Sequence, residues 1–471
     1  MTKVLMVASE SVPFAKTGGL ADVVGTLSAA LRAQGDDVAV LLPCYWSMSV
    51  EGLPLVYDDL RVWFGPNCYT CRVYLATANG VPYYLADCPP LFGRDGLYGD
   101  AAGDYADNHV RFAVLSRVAL TLARHAFRPQ ILHCHDWQAA LVPIYLRHLF
   151  PLDPTFLGIK TVLTIHNLGY PGAFPKDCLP DIGLDPSLAT PDQLGFFGQV
   201  SLLKGGILAS DVITTVSKTY AREIQTPELG FGLDTVLRQR SGVLTGVVNG
   251  VDYSVWDPAT DPNIAAHYST GDLEGKRACK ADLLREFGLP IEMERPLIGI
   301  VSRFAGQKGF DLIEEAADEM MSQDAALVAL GTGDPRYEKF FRDLAAAHPG
   351  KAAVRIAYDD VLAHKIEAGA DLFLMPSLYE PCGLNQIYSL RYGTVPVVRS
   401  TGGLDDTIDE ETGFKFREYS GRAMMDALSQ ALAAYKKREK WIAMMRAGMK
   451  RDFSWTASAA EYAALYRQLA C

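Results

Sequence analysis

Lys16-Thr17-Gly18-Gly19-Leu20-Ala21-Asp22-Val23 joins a short apolar strand, Val4-Leu5-Met6-Val7-Ala8, to a helix. Leu20, Val23, Val24, Leu27, Ala30 and Leu31 recur at helical spacing, so one face of that helix is apolar. Gly18 and Gly19 have no side chain to hold a ligand off the backbone. The helix N-terminus offers N–H groups with a partial positive charge, and Lys16 adds a full one. These features suit an anion such as a phosphate. The order differs from the Gly-x-x-x-x-Gly-Lys-Thr of a P-loop and from the Gly-x-Gly-x-x-Gly of a dinucleotide site. On these residues alone, a phosphate cradle and a purely structural Gly-Gly turn stand level.

Apolar, β-branched runs separated by helical patterns continue along the chain. Strands are predicted at 4–8, 38–42, 131–134, 162–165 and 212–216, then at 298–302, 327–330, 354–357, 372–375 and 395–398. Such strands imply parallel sheets covered on both faces, with ligands at the carboxyl ends of the strands. A chain of 471 residues exceeds what one core supports. The seam is predicted near residues 246–252, ahead of a Pro/Asp-rich stretch, giving domains 1–245 and 246–454 and a terminal helical segment 455–471.

Bulk properties remove whole classes of function. A net charge of −11 argues against nucleic acid as partner, and an acidic protein that binds an anion must gather its cations locally. No apolar run is long enough to span a membrane, and the first ten residues hold too short a run for a signal peptide. Nine cysteines, an odd count in a large chain, suit reduced thiols and a cytoplasmic location. Cys68-Tyr69-Thr70-Cys71 lacks a second pair at zinc spacing, and His133-Cys134-His135 lies on a strand whose successive residues face opposite sides, so all three cannot readily share a metal. No bound metal is expected.

Polar residues cluster at strand ends. Arg303 and Lys308 flank a glycine-containing loop after strand 298–302, repeating the logic of the opening turn; solvated surface cations are the plain alternative. Glu380 lies in Pro376-Ser377-Leu378-Tyr379-Glu380-Pro381-Cys382-Gly383-Leu384-Asn385, a loop stiffened by two prolines. It could bond sugar hydroxyls or only complement a helix dipole. Cys382 has no His or Asp neighbour in sequence and reads as packing. Thr401-Gly402-Gly403 makes another Gly-Gly turn into a helix. Strand 131–134 delivers Asp136 and Trp137, and strand 162–165 delivers His166 and Asn167, a set that fits a sugar packed on Trp137 or simple satisfied burial. Asp-x-Asp, His-Glu-x-x-His and Gly-x-Ser-x-Gly are all absent, so phosphate charge falls to Lys, Arg and helix dipoles.

Ordered motifs span nearly the whole chain: KTGGLADVVG (16–25), GDYADNHVRF (103–112), HCHDWQAAL (133–141), TIHNLGY (164–170), LLKGGI (202–207), VVNGVDYSVWDPATD (247–261), SRFAGQKG (302–309), PSLYEPCGLNQIYSLRYGTVPVV (376–398) and TGGLDDT (401–407). On these the chain resembles bacterial glycogen synthases and plant starch synthases, retaining glucosyltransferases that use ADP-glucose. The resemblance implies an α/β GT-B fold: two Rossmann-like domains with parallel sheets facing across a deep cleft, and a C-terminal helix crossing back to the first domain.

By motif position it assigns Lys16, Arg303 and Lys308 to the donor's phosphates. Asp22, Asn249 and Tyr358 go to donor binding, Glu380 to the transferred glucose, His166 to the reacting sugar, and Asp136 with Trp137 to the glucose and acceptor side. Gly18, Gly19, Asn167, Cys382, Gly383, Leu384 and Thr401 complete the expected substrate contacts. The implied substrates are ADP-glucose and an α-1,4-glucan, with no cofactor, nucleic acid or membrane partner. Attack from the front face is expected, the leaving phosphate taking the acceptor's proton as the domains close. Three positions depart from the pattern: Asn385 replaces a frequent Thr, Tyr388 stands where related retaining enzymes carry a second Glu, and Gly169 with Pro171 vary the loop after His166. A UDP-glucose-dependent transferase and a non-catalytic two-lobed sugar-binding protein are the alternatives.

Overall fold

The computed structural model describes residues 1–470; Cys471, the last residue of the predicted terminal segment, lies outside the described residues. The chain forms two α/β units. The first comprises Met1–Val216, Ala221–Gly250 and the C-terminal helix Trp455–Ala470. The second comprises Ser217–Tyr220 and Val251–Ser454. The first unit therefore continues past residue 245. The reason is a strand, Leu244–Gly246, that pairs in parallel with Val212–Thr215, after which the Val247 N–H donates to the Thr215 carbonyl.

The main sheet of the first unit is built from β1 (Lys3–Val7), β2 (Asp37–Pro43), β3 (Leu55–Phe64), β4 (Asn67–Ala78), β5 (Val81–Asp87), β6 (Ile131–His135), β7 (Lys160–Ile165), β8 (Val212–Thr215) and β9 (Leu244–Gly246). They form one sheet in the order β9-β8-β7-β6-β1-β2-β5-β4-β3. Five of the nine, β1, β2, β6, β7 and β8, fall where the sequence predicts strands; of the others, β5 pairs in parallel with β2, but β4 and β3 extend the sheet as antiparallel strands. The predicted all-parallel sheet is corrected there. Asn79 and Gly80 both take positive φ, the conformation of a tight hairpin turn whose twist matches its strands.

Helix α1 (Gly19–Ala33) buries Leu20, Val23, Val24, Leu27 and Leu31, the face its sequence period predicts. The C-terminal helix packs Trp455, Ala459, Tyr462, Ala463 and Tyr466 into the same core cluster. Its Ser458 hydroxyl donates to the Val248 carbonyl at 2.7 Å. Each fully buried Leu or Val stabilises the fold by about 1.5–3 kcal/mol, which accounts for the firm seating of both helices on this sheet.

The second unit holds a wholly parallel sheet of β10 (Leu297–Val301), β11 (Ala326–Gly331), β12 (Ala352–Ile356), β13 (Leu372–Met375), β14 (Val395–Arg399) and β15 (Phe414–Phe416), ordered β12-β11-β10-β13-β14-β15. Three helices matter below: α2 (Asp360–Gly369), α3 (Asn385–Arg391) and α4 (Gly402–Thr407). Each sheet has a point where the chain leaves one strand in one direction and later returns to build outward on its other side, between β1 and β6 and between β10 and β13. Crevices at the carboxyl ends of strands flanking such a reversal are where open α/β sheets bind ligands.

Candidate active site

At the first reversal, the loop after β1 carries Glu10 and Lys16 to Gly19. Lys16 is paired with Asp22 at 2.8 Å, joining two predicted site residues, and both remain part-exposed. Glu10 is buried and lies against the turn. Its carboxylate accepts from the Thr17 N–H, from Thr17 Oγ1 at 2.7 Å, from the Gly18 N–H at 3.3 Å and from the Tyr98 hydroxyl. Thr17 and Gly18 immediately precede the helix, so Glu10 holds the N–H groups of the approach to it and not those of its first turn. A Cβ on Gly18 or Gly19 would meet nothing within 4 Å, so no packing inside the fold requires glycine at either position.

β6 ends at His135, and Asp136 follows in the left-handed region at φ 55°. Its carboxylate accepts the His166 N–H at 2.7 Å and also the Asn167 N–H. Burial pushes the Asp136 carboxyl up to about 7, against the pull of those two N–H groups. Asp136 thus shapes the loop after β7, where Asn167 Oδ1 accepts from the Gly169 N–H at 3.0 Å. Trp137 packs edge-on against Phe112 and Phe174 and is only 9% exposed, so the expected stacking platform has little free ring. His166 Nε2 lies 3.0 Å from His135 Nδ1, and burial lowers the His166 imidazole to about 3. Asn249 is buried with its Oδ1 unpartnered.

At the second reversal, the loop after β10 carries Arg303 and Lys308. Arg303 is exposed, and its guanidinium makes no bond to another of the described residues. Lys308 Nζ reaches the Glu380 carboxylate at 2.6 Å, and Ser377 Oγ donates to the same carboxylate at 3.2 Å. The two loops are stitched together where the Leu378 N–H donates to the Gln307 carbonyl and Gln307 Nε2 donates to the Tyr379 carbonyl. Glu380 is also backed by α4. A Cβ at Gly402, itself at φ 45°, would overlap the Glu380 carbonyl, and one at Gly403 would overlap the Cys382 carbonyl. The Thr401-Gly402-Gly403 turn is therefore a packing device for the Glu380 loop. Cys382 is buried in it, Gly383 takes φ 71°, and Leu384 caps α3.

Thr401 is buried with Oγ1 unpartnered, the same state as Asn249 Oδ1 in the other unit. Tyr358 stands alone, 83% exposed beyond β12. The two departures in the Glu380 segment acquire local explanations. Asn385 Nδ2 donates to the Val301 carbonyl at 2.6 Å, tying α3 to the end of β10. Tyr388 stacks on Trp256 with ring centroids 4.0 Å apart and 7° between planes.

The sequence reading missed Glu10, Tyr98, Ser377 and Gln307. Glu10 had a signal, a carboxylate directly after a strand in the same loop as Lys16; Tyr98 reaches it from a distant segment and had none. Among the described residues, no group of three or more His, Cys, Asp or Glu side chains is arranged to hold a metal ion. What the strand ends supply is cationic and hydrogen-bonding: exposed Arg303, part-exposed Lys16, and a carboxylate–ammonium pair at Glu380. Such groups suit a phosphorylated sugar.

Comparison with known proteins agrees. A sequence model of the starch synthase catalytic domain matches residues 3–239, and one of the glycosyl transferases group 1 matches residues 285–447. The glycogen synthase of Koribacter versatilis (strain Ellin345) is 52% identical over 469 residues, covering 98% of this chain and 97% of that protein. The glycogen synthase of Anaeromyxobacter dehalogenans (strain 2CP-C) is 49% identical, covering 99% and 100%. Among solved structures, the catalytic domain of starch synthase IV from Arabidopsis thaliana, bound to ADP and acarbose, superposes with a TM-score of 0.90 at 34% identity, covering 100% and 99%. Sucrose-phosphate synthase from Thermosynechococcus elongatus, at 18% identity and a TM-score of 0.62, shares the fold. The chain belongs to the starch and glycogen synthase family of glycosyltransferases, and its fold is GT-B.

Proposed function

We propose that this enzyme transfers glucose from ADP-glucose to the non-reducing 4-hydroxyl of an α-1,4-glucan, with retention of configuration, in the cytoplasm. The observation that carries the reading is the Lys308–Glu380 pair, whose lysine comes from the same strand-end loop that carries the exposed Arg303. A donor breaking its glycosidic bond develops positive charge on the sugar and negative charge on the departing diphosphate. A carboxylate on the sugar and cations on the diphosphate complement both.

In this reading Arg303, Lys308 and Lys16 neutralise the phosphates, and Asp22, Asn249, Tyr358 and Thr401 contact the donor. Glu380 holds the transferred glucose. His166, neutral through burial, positions the sugar rather than attacking it. Asp136 acts by shaping the His166–Asn167 backbone. The leaving phosphate accepts the acceptor's proton. No metal takes part, so excess EDTA should leave turnover unchanged.

The test is ADP release from ADP-glucose, measured with and without glycogen. Glycogen-dependent release, with UDP-glucose a much poorer donor, is the expected result. Absence of glycogen-dependent release from either donor overturns the reading, and preference for UDP-glucose overturns the donor assignment.

A further inference from the structure

Among the described residues the His166 side chain makes one hydrogen bond, and its partner is another histidine. His135 Nδ1 and His166 Nε2 lie 3.0 Å apart. His135 is fully buried, and its Nε2 has no partner. Its ring is held in place by His133, whose centroid lies 4.2 Å away at a 35° tilt. His133 is itself pinned at both nitrogens. The Tyr466 hydroxyl of the C-terminal helix is 2.6 Å from Nδ1, and Thr164 Oγ1 is 2.6 Å from Nε2. Thr164 Oγ1 continues to Thr214 Oγ1 at 2.6 Å. A rigid, buried scaffold thus presents one nitrogen of His135 to one nitrogen of His166.

Burial disfavours the charged form of all three rings. Between two neutral imidazoles there is a single bridging proton, and it has two possible owners. If His166 donates from Nε2, the proton of His135 must sit on its own Nε2, leaving a buried N–H with no acceptor. If His135 donates from Nδ1, its Nε2 is a bare lone pair, and no donor is stranded. Buried N–H groups without acceptors are the rarer fault in folded proteins. The second arrangement also places the proton of His166 on Nδ1, the nitrogen that makes no bond to another of the described residues.

We infer that His135 is a positioning residue that fixes His166 as its Nδ1–H tautomer, so that His166 meets the sugar as a hydrogen-bond donor and not as a base. The inference rests on the proposed placement of His166 beside the reacting sugar. Its physical core, the tautomer, does not depend on activity. A donor at that position suits an oxygen of the glucose being transferred. It also keeps a competing proton acceptor away from the acceptor hydroxyl, whose proton leaves with the phosphate.

The experiment uses the full chain with 15N-labelled histidine and two-bond 15N–1H correlation spectra, which separate the two tautomers. The signals of His166 are assigned by their loss in His166→Gln. His166 protonated on Nδ1 in the unsubstituted enzyme is the expected result. In His135→Leu the Nε2–H form should appear, and kcat should fall by roughly ten- to a hundredfold with KM changed by less than about threefold. An Nε2–H His166 in the unsubstituted enzyme overturns the inference, as does an unaltered tautomer in folded His135→Leu. Should that variant not fold, the spectrum of the unsubstituted enzyme decides alone. A chain that shows the Nδ1–H form but releases no ADP from ADP-glucose refutes the proposed function and leaves the role of His135 toward His166 standing.

Discussion

The ammonium of Lys308 and the carboxylate of Glu380 are 2.6 Å apart, and the carboxylate side chain is only 8% exposed. Removing one partner of such a pair leaves the other desolvated and alone. Lys308→Ala should therefore destabilise the enzyme by somewhat less than the ~3–5 kcal/mol of a fully buried pair, because Lys308 keeps some contact with water. Adding Glu380→Gln should return most of that stability in urea unfolding while turnover stays low. A double variant no more stable than Lys308→Ala would show that the pair is not the source of the loss.

Arg303 offers the contrasting case. Its guanidinium is exposed and unpaired among the described residues, so Arg303→Ala should change unfolding free energy by no more than about 0.5 kcal/mol. Turnover should nevertheless drop by roughly 10²–10³, the usual cost of losing one group that stabilises transition-state charge. Measuring both quantities on one preparation checks it; near-normal turnover refutes the phosphate role.

Two glycine pairs that look alike in sequence should respond in opposite ways. Gly19→Ala places its Cβ in open space at a helix start, so the melting temperature should hold or rise while the KM for the donor increases. Gly403→Ala drives its Cβ into the Cys382 carbonyl and must displace the Glu380 loop. It should lower both the melting temperature and kcat. Equal stability of the two variants, measured by calorimetry, would contradict this assignment.

Away from the site, Glu367 on α2 is buried, accepts from Ser389 Oγ at 2.6 Å and lies near Lys276. Burial raises its carboxyl to about 8. An acid whose folded pKa is raised gives stability that is complete below its unfolded pKa and is lost as pH climbs through the folded value. Between about pH 4.5 and 8 that loss approaches 1.4 kcal/mol per unit. Glu367→Gln should thus gain stability over the unsubstituted enzyme steadily from pH 5 to 8 and level off above it. A pH-independent difference in urea midpoints would argue that Glu367 ionises normally.

The parallel strands and the polar loops at their ends were legible because each is written locally, as an apolar run followed by Gly, Pro or charge. β3 to β5 are harder to read although Asn79-Gly80 is a strong hairpin signal, since their apolar and polar residues alternate and form no continuous apolar run. What local reading could not reach were long-range partners. Tyr98 meets Glu10, Tyr466 meets His133, and Trp256 slides between Tyr388 and His364. The Tyr388 departure had no local explanation in the sequence; tertiary packing makes it half of an aromatic stack. The Thr401-Gly402-Gly403 turn was legible as a Gly-Gly turn into a helix, but not that it presses against the Glu380 backbone, a contact made by a separate segment.

The carboxylate of Glu10 changes what an empty site looks like. A loop rich in glycine and free N–H groups would ordinarily be floppy until an anion arrived, and part of the ligand's affinity would go into ordering it. Here an internal anion already grips Thr17 and Gly18. The turn should therefore be as well ordered between catalytic cycles as within them, so that donor arrival and departure need not wait on refolding of this loop.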